Sequence, residues 1–92
     1  MTTFFMLMPH EPLDKAAWER SDYVDVCGIY ADGVAEARQM AAEEFSLPGQ
    51  RRHSPWLDPM LSICREAAMW TPWPDDYKGV HFRSGKRKSE AA

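Results

Sequence analysis

The residues of this chain with the chemistry to hold a metal or attack an electrophile are three histidines, His10, His53 and His81, and two cysteines, Cys27 and Cys64. None stands in the short Cys-x2-Cys or His-x3-His spacing that lets one turn present two ligands to an ion. No metal site is therefore expected, and the histidines read as separate loop residues. A thiol nucleophile would need Cys27 or Cys64 beside a histidine or a helix N-terminus, which lowers the thiol pKa. Both lie inside apolar segments, where buried free thiols are expected.

No Gly-x-Ser-x-Gly elbow and no phosphate-cradling glycine loop occurs, because the five glycines are dispersed. The adjacent acidic pairs Glu43-Glu44 and Asp75-Asp76 read as solvated carboxylates rather than acid/base partners, since neighbours on a helix point apart. Without a nucleophile, base and orienter in one pattern, the sequence reads as a non-enzyme with no cofactor.

Two other groups of residues suit binding. Trp56, Trp73, Tyr77 and Phe82 are large apolar faces, and the two tryptophans stand among prolines that hold them at little entropic cost. They form the expected partner-binding surface. Lys78, Arg83, Lys86, Arg87 and Lys88, with Tyr77 and Phe82 between them, make a basic stretch able to touch phosphates and stack bases.

Charge is unevenly divided. Residues 1–76 hold six Lys/Arg against thirteen Asp/Glu, and residues 77–92 hold five against one, within a net charge of −3. An acidic body repels nucleic acid everywhere except at that basic end. A protein partner is the first expectation, and a nucleic-acid accessory role through residues 77–88 the alternative.

These side chains need a frame, and its clearest trace is in residues 22–45, where the hydrophobic period changes midway from two to 3.6. Val24, Val26 and Tyr30 share a strand parity. Val34, Ala37, Ala41 and Phe45 share a helical stripe. The pattern predicts a strand over Tyr23–Tyr30 and a helix over about 33–45, with Asp32 as cap, Gly33 easing the reversal and the Ser46-Leu47-Pro48-Gly49 break at its end. Gly28 within the strand marks a bulge or a close helix approach.

Thr2–Met8 predicts a strand apolar on both faces, which belongs near the sheet centre or against another subunit. Pro12 ahead of Leu13, Ala16, Ala17 and Trp18 permits a helical turn or two starting near Pro12. Gln50–Pro59 reads as a slack connection, and Met60–Ala68 as a third strand whose far end reaches an edge. The predicted fold is α+β, a small, mainly antiparallel sheet of three strands, or four if residues 79–83 pair, with one helix on one face. Between the second and third strands an antiparallel arrangement is preferred to a parallel crossover.

A 92-residue chain with 45% hydrophobic residues supports one domain with a thin core. Residues 1–83 are assigned to it and 84–92 to a flexible basic tail. No run reaches the ~20 apolar residues of a membrane helix, and the N-terminal apolar run lacks signal-peptide features, so a cytoplasmic protein is expected. A domain this small gains from burying surface in a symmetric dimer. The functional expectation is a small interaction module or regulator that binds a protein partner or itself through aromatic and acidic surface.

Overall fold

The computed structural model describes residues 2–67 and 79–83, the last three by backbone alone. Its elements in chain order are β1 (Thr3–Pro9), α1 (Lys15–Trp18), β2 (Cys27–Ala31), α2 (Val34–Phe45), two 3-10 turns (Arg51–His53 and Pro55–Leu57), β3 (Ser62–Glu66) and β4 (Gly79–Arg83). The sheet has four strands in the order β3-β1-β2-β4, and every pairing is antiparallel. The fold is the α+β arrangement that the period switch predicts, with the fourth strand present.

β1 occupies the interior of the sheet, as expected of a strand apolar on both parities. Phe5 and Leu7 face α2 with Cys27, Ile29 and Ala31, and Val80 packs against the same core. Phe4 stands across from Tyr30 on the opposite face, with ring centroids 4.9 Å apart. All five residues of β2 are buried, so both its faces are covered.

The second and third strands do not pair with each other directly, and the antiparallel arrangement preferred for them is not formed. Each is antiparallel to β1, so they run parallel to one another with β1 between them. β2, α2 and β3 thus form a crossover that straddles the first strand.

Several boundaries move for local reasons. β2 begins at Cys27 rather than Tyr23 because side chains take the preceding backbone groups. Asp25 Oδ1 accepts the Val26 N–H at 2.7 Å, and the Tyr23 hydroxyl donates to the Val26 carbonyl at 2.6 Å. Such bonds compete with a ladder. β3 begins at Ser62 rather than Met60, since Asp58 Oδ1 accepts the Met60 N–H and the Asp58 carbonyl accepts from Leu61 and Ser62.

The residue at the cap of α2 is Gly33, not Asp32. Its φ of −167° is ordinary extended backbone, and a side chain there would meet open space. The Asp32 N–H instead donates to Glu36 Oε1 at 3.0 Å, so a side chain of the first turn reaches back to the residue before the cap. α1 begins at Lys15 rather than near Pro12 because Asp14 caps it, accepting from the Ala17 N–H. A register shift falls between Gly28 and Ile29, but the residue it leaves over is in β4, where the partners step from Phe82 to Val80, and not Gly28 itself.

α2 buries Ala37, Ala41, Ala42 and Phe45, the small residues allowing close approach to the sheet. Val34, the first of the predicted stripe, remains 45% exposed. Where α2 ends, Trp18, Tyr23, Phe45 and Trp56 join into one aromatic cluster. Trp18 meets Trp56 edge-on with centroids 4.8 Å apart, and Tyr23 stacks on Phe45 at 4.7 Å. Aromatic pairs in such arrangements add to the stabilisation from burial alone.

Candidate functional site

The segment after α2 departs most from a slack connection. Ser54 is buried and caps the second 3-10 turn, its Oγ accepting the Trp56 N–H at 3.2 Å, and Pro55 occupies the first turn position that needs no N–H donor. The result drives Trp56 inward until none of it is exposed. Its indole Nε1–H donates to Ser21 Oγ at 3.0 Å. Trp56 therefore cannot contact a partner, which corrects its place in the expected binding surface. An indole of this size fills the corner that the sheet and one helix leave open.

Ser62 and Arg38 tie the same segment to the sheet and helix. Arg38 Nη1 donates to Ser62 Oγ at 2.8 Å and to the Trp56 carbonyl at 3.1 Å, and Nη2 donates to the Ser62 carbonyl at 3.0 Å. A guanidinium suits this task because its donors form a fixed fork. The Ser62 hydroxyl lies within reach of the Pro55, Trp56 and Asp58 carbonyls. Arg38→Met keeps the apolar stem and removes the donors. It is expected to lower stability by ~2 kcal/mol, and Arg38→Lys by about half as much, measured by urea unfolding.

Outside this tied backbone, the segment presents exposed side chains. Arg51, Arg52 and His53 are exposed, as are Leu57 at 37% and Met60 at 82%. A cleft of about 430 Å³ is lined by residues including Leu47, Pro48, Arg51, Arg52 and His53. A second, of about 410 Å³, is lined by residues including Arg20, Arg52, His53, Leu57 and Asp58. Arg20 Nη1 donates to the His53 carbonyl at 3.3 Å, which fixes that side chain across the turn.

The thiols take a different course. Cys27 and Cys64 both stand beside Leu7, on either side of β1, and both face the helix-covered core. Two strand spacings, roughly 9.6 Å, separate their backbones, beyond the span of a disulfide. Both are free, with Cys27 buried and Cys64 half-buried. Burial pushes the Cys27 thiol far up, with Cys64 adding to the effect. Burial also raises Cys64, against an opposing pull from Arg38. These shifts disfavour the thiolate that nucleophilic catalysis requires.

A raised thiol pKa has a sign for stability. Cys27 holds its proton in the folded state at pH values where the unfolded chain has lost it, so its contribution is complete below about pH 8.5 and is lost as pH rises above it. Stability measured by urea unfolding is expected to fall from pH 8 to pH 10, by up to ~1.4 kcal/mol per pH unit from this thiol. Cys27→Ala should lower stability at pH 7 and flatten that slope.

Among the described residues no group of three or more His, Cys, Asp or Glu could hold a metal ion, and no helix is long and apolar enough to cross a membrane. His10 Nε2 lies 3.1 Å from the Pro59 carbonyl, a contact between the end of β1 and the turn before β3. Trp73, Tyr77, Lys78, Lys86, Arg87 and Lys88 lie outside the described residues, as does the tail assigned to 84–92. Phe82 and Arg83 are placed by backbone, across from Gly28 and Cys27 in β4.

Ser21, Arg38, Ser54 and Ser62 organise this region, and sequence reasoning singled out none of them. The signal was available in Ser54-Pro55 and Asp58-Pro59, two dipeptides that start turns. Hydrogen-bond partners 24 and 35 residues apart leave no local trace. No protein-family model, curated protein or solved structure matches the chain.

Proposed function

We propose that this protein is a small, non-enzymatic interaction module that binds a protein partner or a second copy of itself. The observation that carries the reading is the build of residues 51–61. Leu57 and Met60 are exposed on a backbone pinned by Ser54, Asp58 and Ser62, over the buried Trp56. Apolar side chains on a stiff loop lose little freedom when a partner covers them, and that saving is what pre-organisation contributes to affinity. The raised thiols support a role without covalent chemistry. Glu43 and Glu44 of α2 are exposed and add acidic surface to the module.

Light scattering after size exclusion and co-purification from the native host test it, using wild type, Met60→Glu and Trp73→Ala. A dimer or a retained partner that is lost in Met60→Glu supports the proposal. A strict monomer that retains nothing overturns it.

A further inference from the structure

Arg20, Arg51 and Arg52 make up half of the six Lys/Arg in residues 1–76, and all three lie around one turn. That concentration stands out in a body with thirteen acidic residues. None of the three forms an ion pair among the described residues, and the one hydrogen bond among their side chains is from Arg20 to a backbone carbonyl. The clefts they line adjoin one another. Arg52 and His53 are common to the clefts of about 430 and 410 Å³, and Arg20 is common to the latter and a third of about 420 Å³ that also reaches Leu47 and Pro48.

Arg52 and Arg20 therefore stand at two of the junctions between clefts, Arg51 lines the first cleft alone, and Leu47 and Pro48 form the third junction. Glu43, Asp58 and Glu19 each line a single one of the three, as Arg51 does, and none stands at a junction. Asp58 is also occupied in accepting the Met60 N–H. A ligand that follows the clefts meets Arg52 and Arg20 at two crossings, Leu47 and Pro48 at the third, and Leu57 within the second cleft.

We infer that these adjoining clefts are a docking groove for an extended acidic peptide with interspersed aliphatic residues. This rests on the interaction-module reading and names the partner chemistry. Three adjoining clefts suit an elongated ligand rather than a single phosphate. Guanidinium forks match carboxylates in paired hydrogen bonds, and the apolar walls take the aliphatic side chains between them. Nucleic acid fits less well, because its evenly charged backbone would run on to the acidic body beyond the groove. The turn that carries Arg51 and Arg52 is fixed from below by Ser54 and Trp56, so the groove exists before the peptide arrives.

Fluorescence anisotropy tests the inference, with a fluorescein-labelled peptide of about ten residues, alternating Glu and Leu, as the probe. The same peptide with Lys for Glu, and a labelled single strand of about 15 nucleotides, serve as comparisons. The Glu/Leu peptide is expected to bind wild type most tightly and to weaken as salt rises from about 50 to 300 mM. Arg52→Glu should weaken it at least tenfold, and Arg51→Glu should weaken it by a smaller factor. Arg65→Glu, the same charge change on β3 and away from the groove, should stay within twofold. Circular dichroism confirms that each variant is folded.

Equal losses in Arg52→Glu and Arg65→Glu would overturn the groove in favour of general charge attraction, and tighter binding of the single strand would overturn it in favour of nucleic acid. No peptide binding, together with a dimer or partner that Met60→Glu abolishes, would remove the groove and leave the module reading standing. No peptide binding by a strict monomer would remove both.

Discussion

Replacing Trp56 with alanine is expected to remove ~3–5 kcal/mol of stability, enough to leave a large part of the population unfolded at 37 °C. The range is that of large aromatic residues cut back in cores. Trp56 belongs to it fully, being 0% exposed and touching Trp18, Tyr23 and Phe45 with ring centroids 4.8, 6.4 and 5.8 Å away. A domain of this size has only ~5–15 kcal/mol in total. The cavity would lie between α2 and the turn that follows it, where both would loosen. Thermal unfolding followed by near-ultraviolet circular dichroism checks the prediction. A melting temperature within a few degrees of wild type would show that Trp56 does not fill the core. Trp56→Phe should fall between the two, because it keeps ring packing and loses the indole donor.

Ser21→Ala is the second large effect, and its origin is polar. The Ser21 hydroxyl accepts from Trp56 Nε1 at 3.0 Å and from the Tyr23 N–H at 3.2 Å, and it donates to the Tyr23 carbonyl at 2.6 Å. The residue is fully buried, and its backbone bridges to Ser46 beyond the end of α2. Alanine fits the space but takes the acceptor away from buried donors, each of which costs ~1–3 kcal/mol when left unmade. A total loss of ~2–4 kcal/mol is expected in urea unfolding. The Ser21→Ala, Trp56→Phe double variant isolates the indole bond. With the N–H already gone, Ser21→Ala should cost ~1 kcal/mol less than in wild type. Strict additivity would mean that the hydroxyl and the indole do not act on each other.

These two residues mark the boundary of what could be read in the amino-acid order. The strand-to-helix switch was legible because each element repeats its own period over enough residues. α2 therefore ends at Phe45 where the Ser46–Gly49 break puts it. β1 was legible as an interior strand because Phe4, Phe5, Leu7 and their neighbours are apolar on both parities. The segment 50–61 was not legible as core, since its apolar residues are few and its prolines argue equally for a slack loop and for a 3-10 turn. What decides between these is Ser54 at the cap and Arg38 and Ser21 far off in sequence. The same reason explains Trp56, whose inward direction depends on a hydroxyl 35 residues away. The pairing order β3-β1-β2-β4 was hidden too, because nothing local tells β3 to take the free edge of β1 rather than that of β2.

The candidate site shifts accordingly, from Trp56 to charged and aliphatic side chains on a turn that Trp56 supports from beneath. Both the module reading and the docking groove need residues 51–61 to hold their form before any partner is present. Native-state hydrogen exchange measures this residue by residue. The Trp56 and Ser62 amides, which donate to Ser54 Oγ and to the Asp58 carbonyl, are expected to exchange only through openings nearly as costly as those of the α2 interior. Exchange of these amides at the rate of an unstructured peptide, while α2 remains protected, would contradict a pre-formed turn and with it both functional readings.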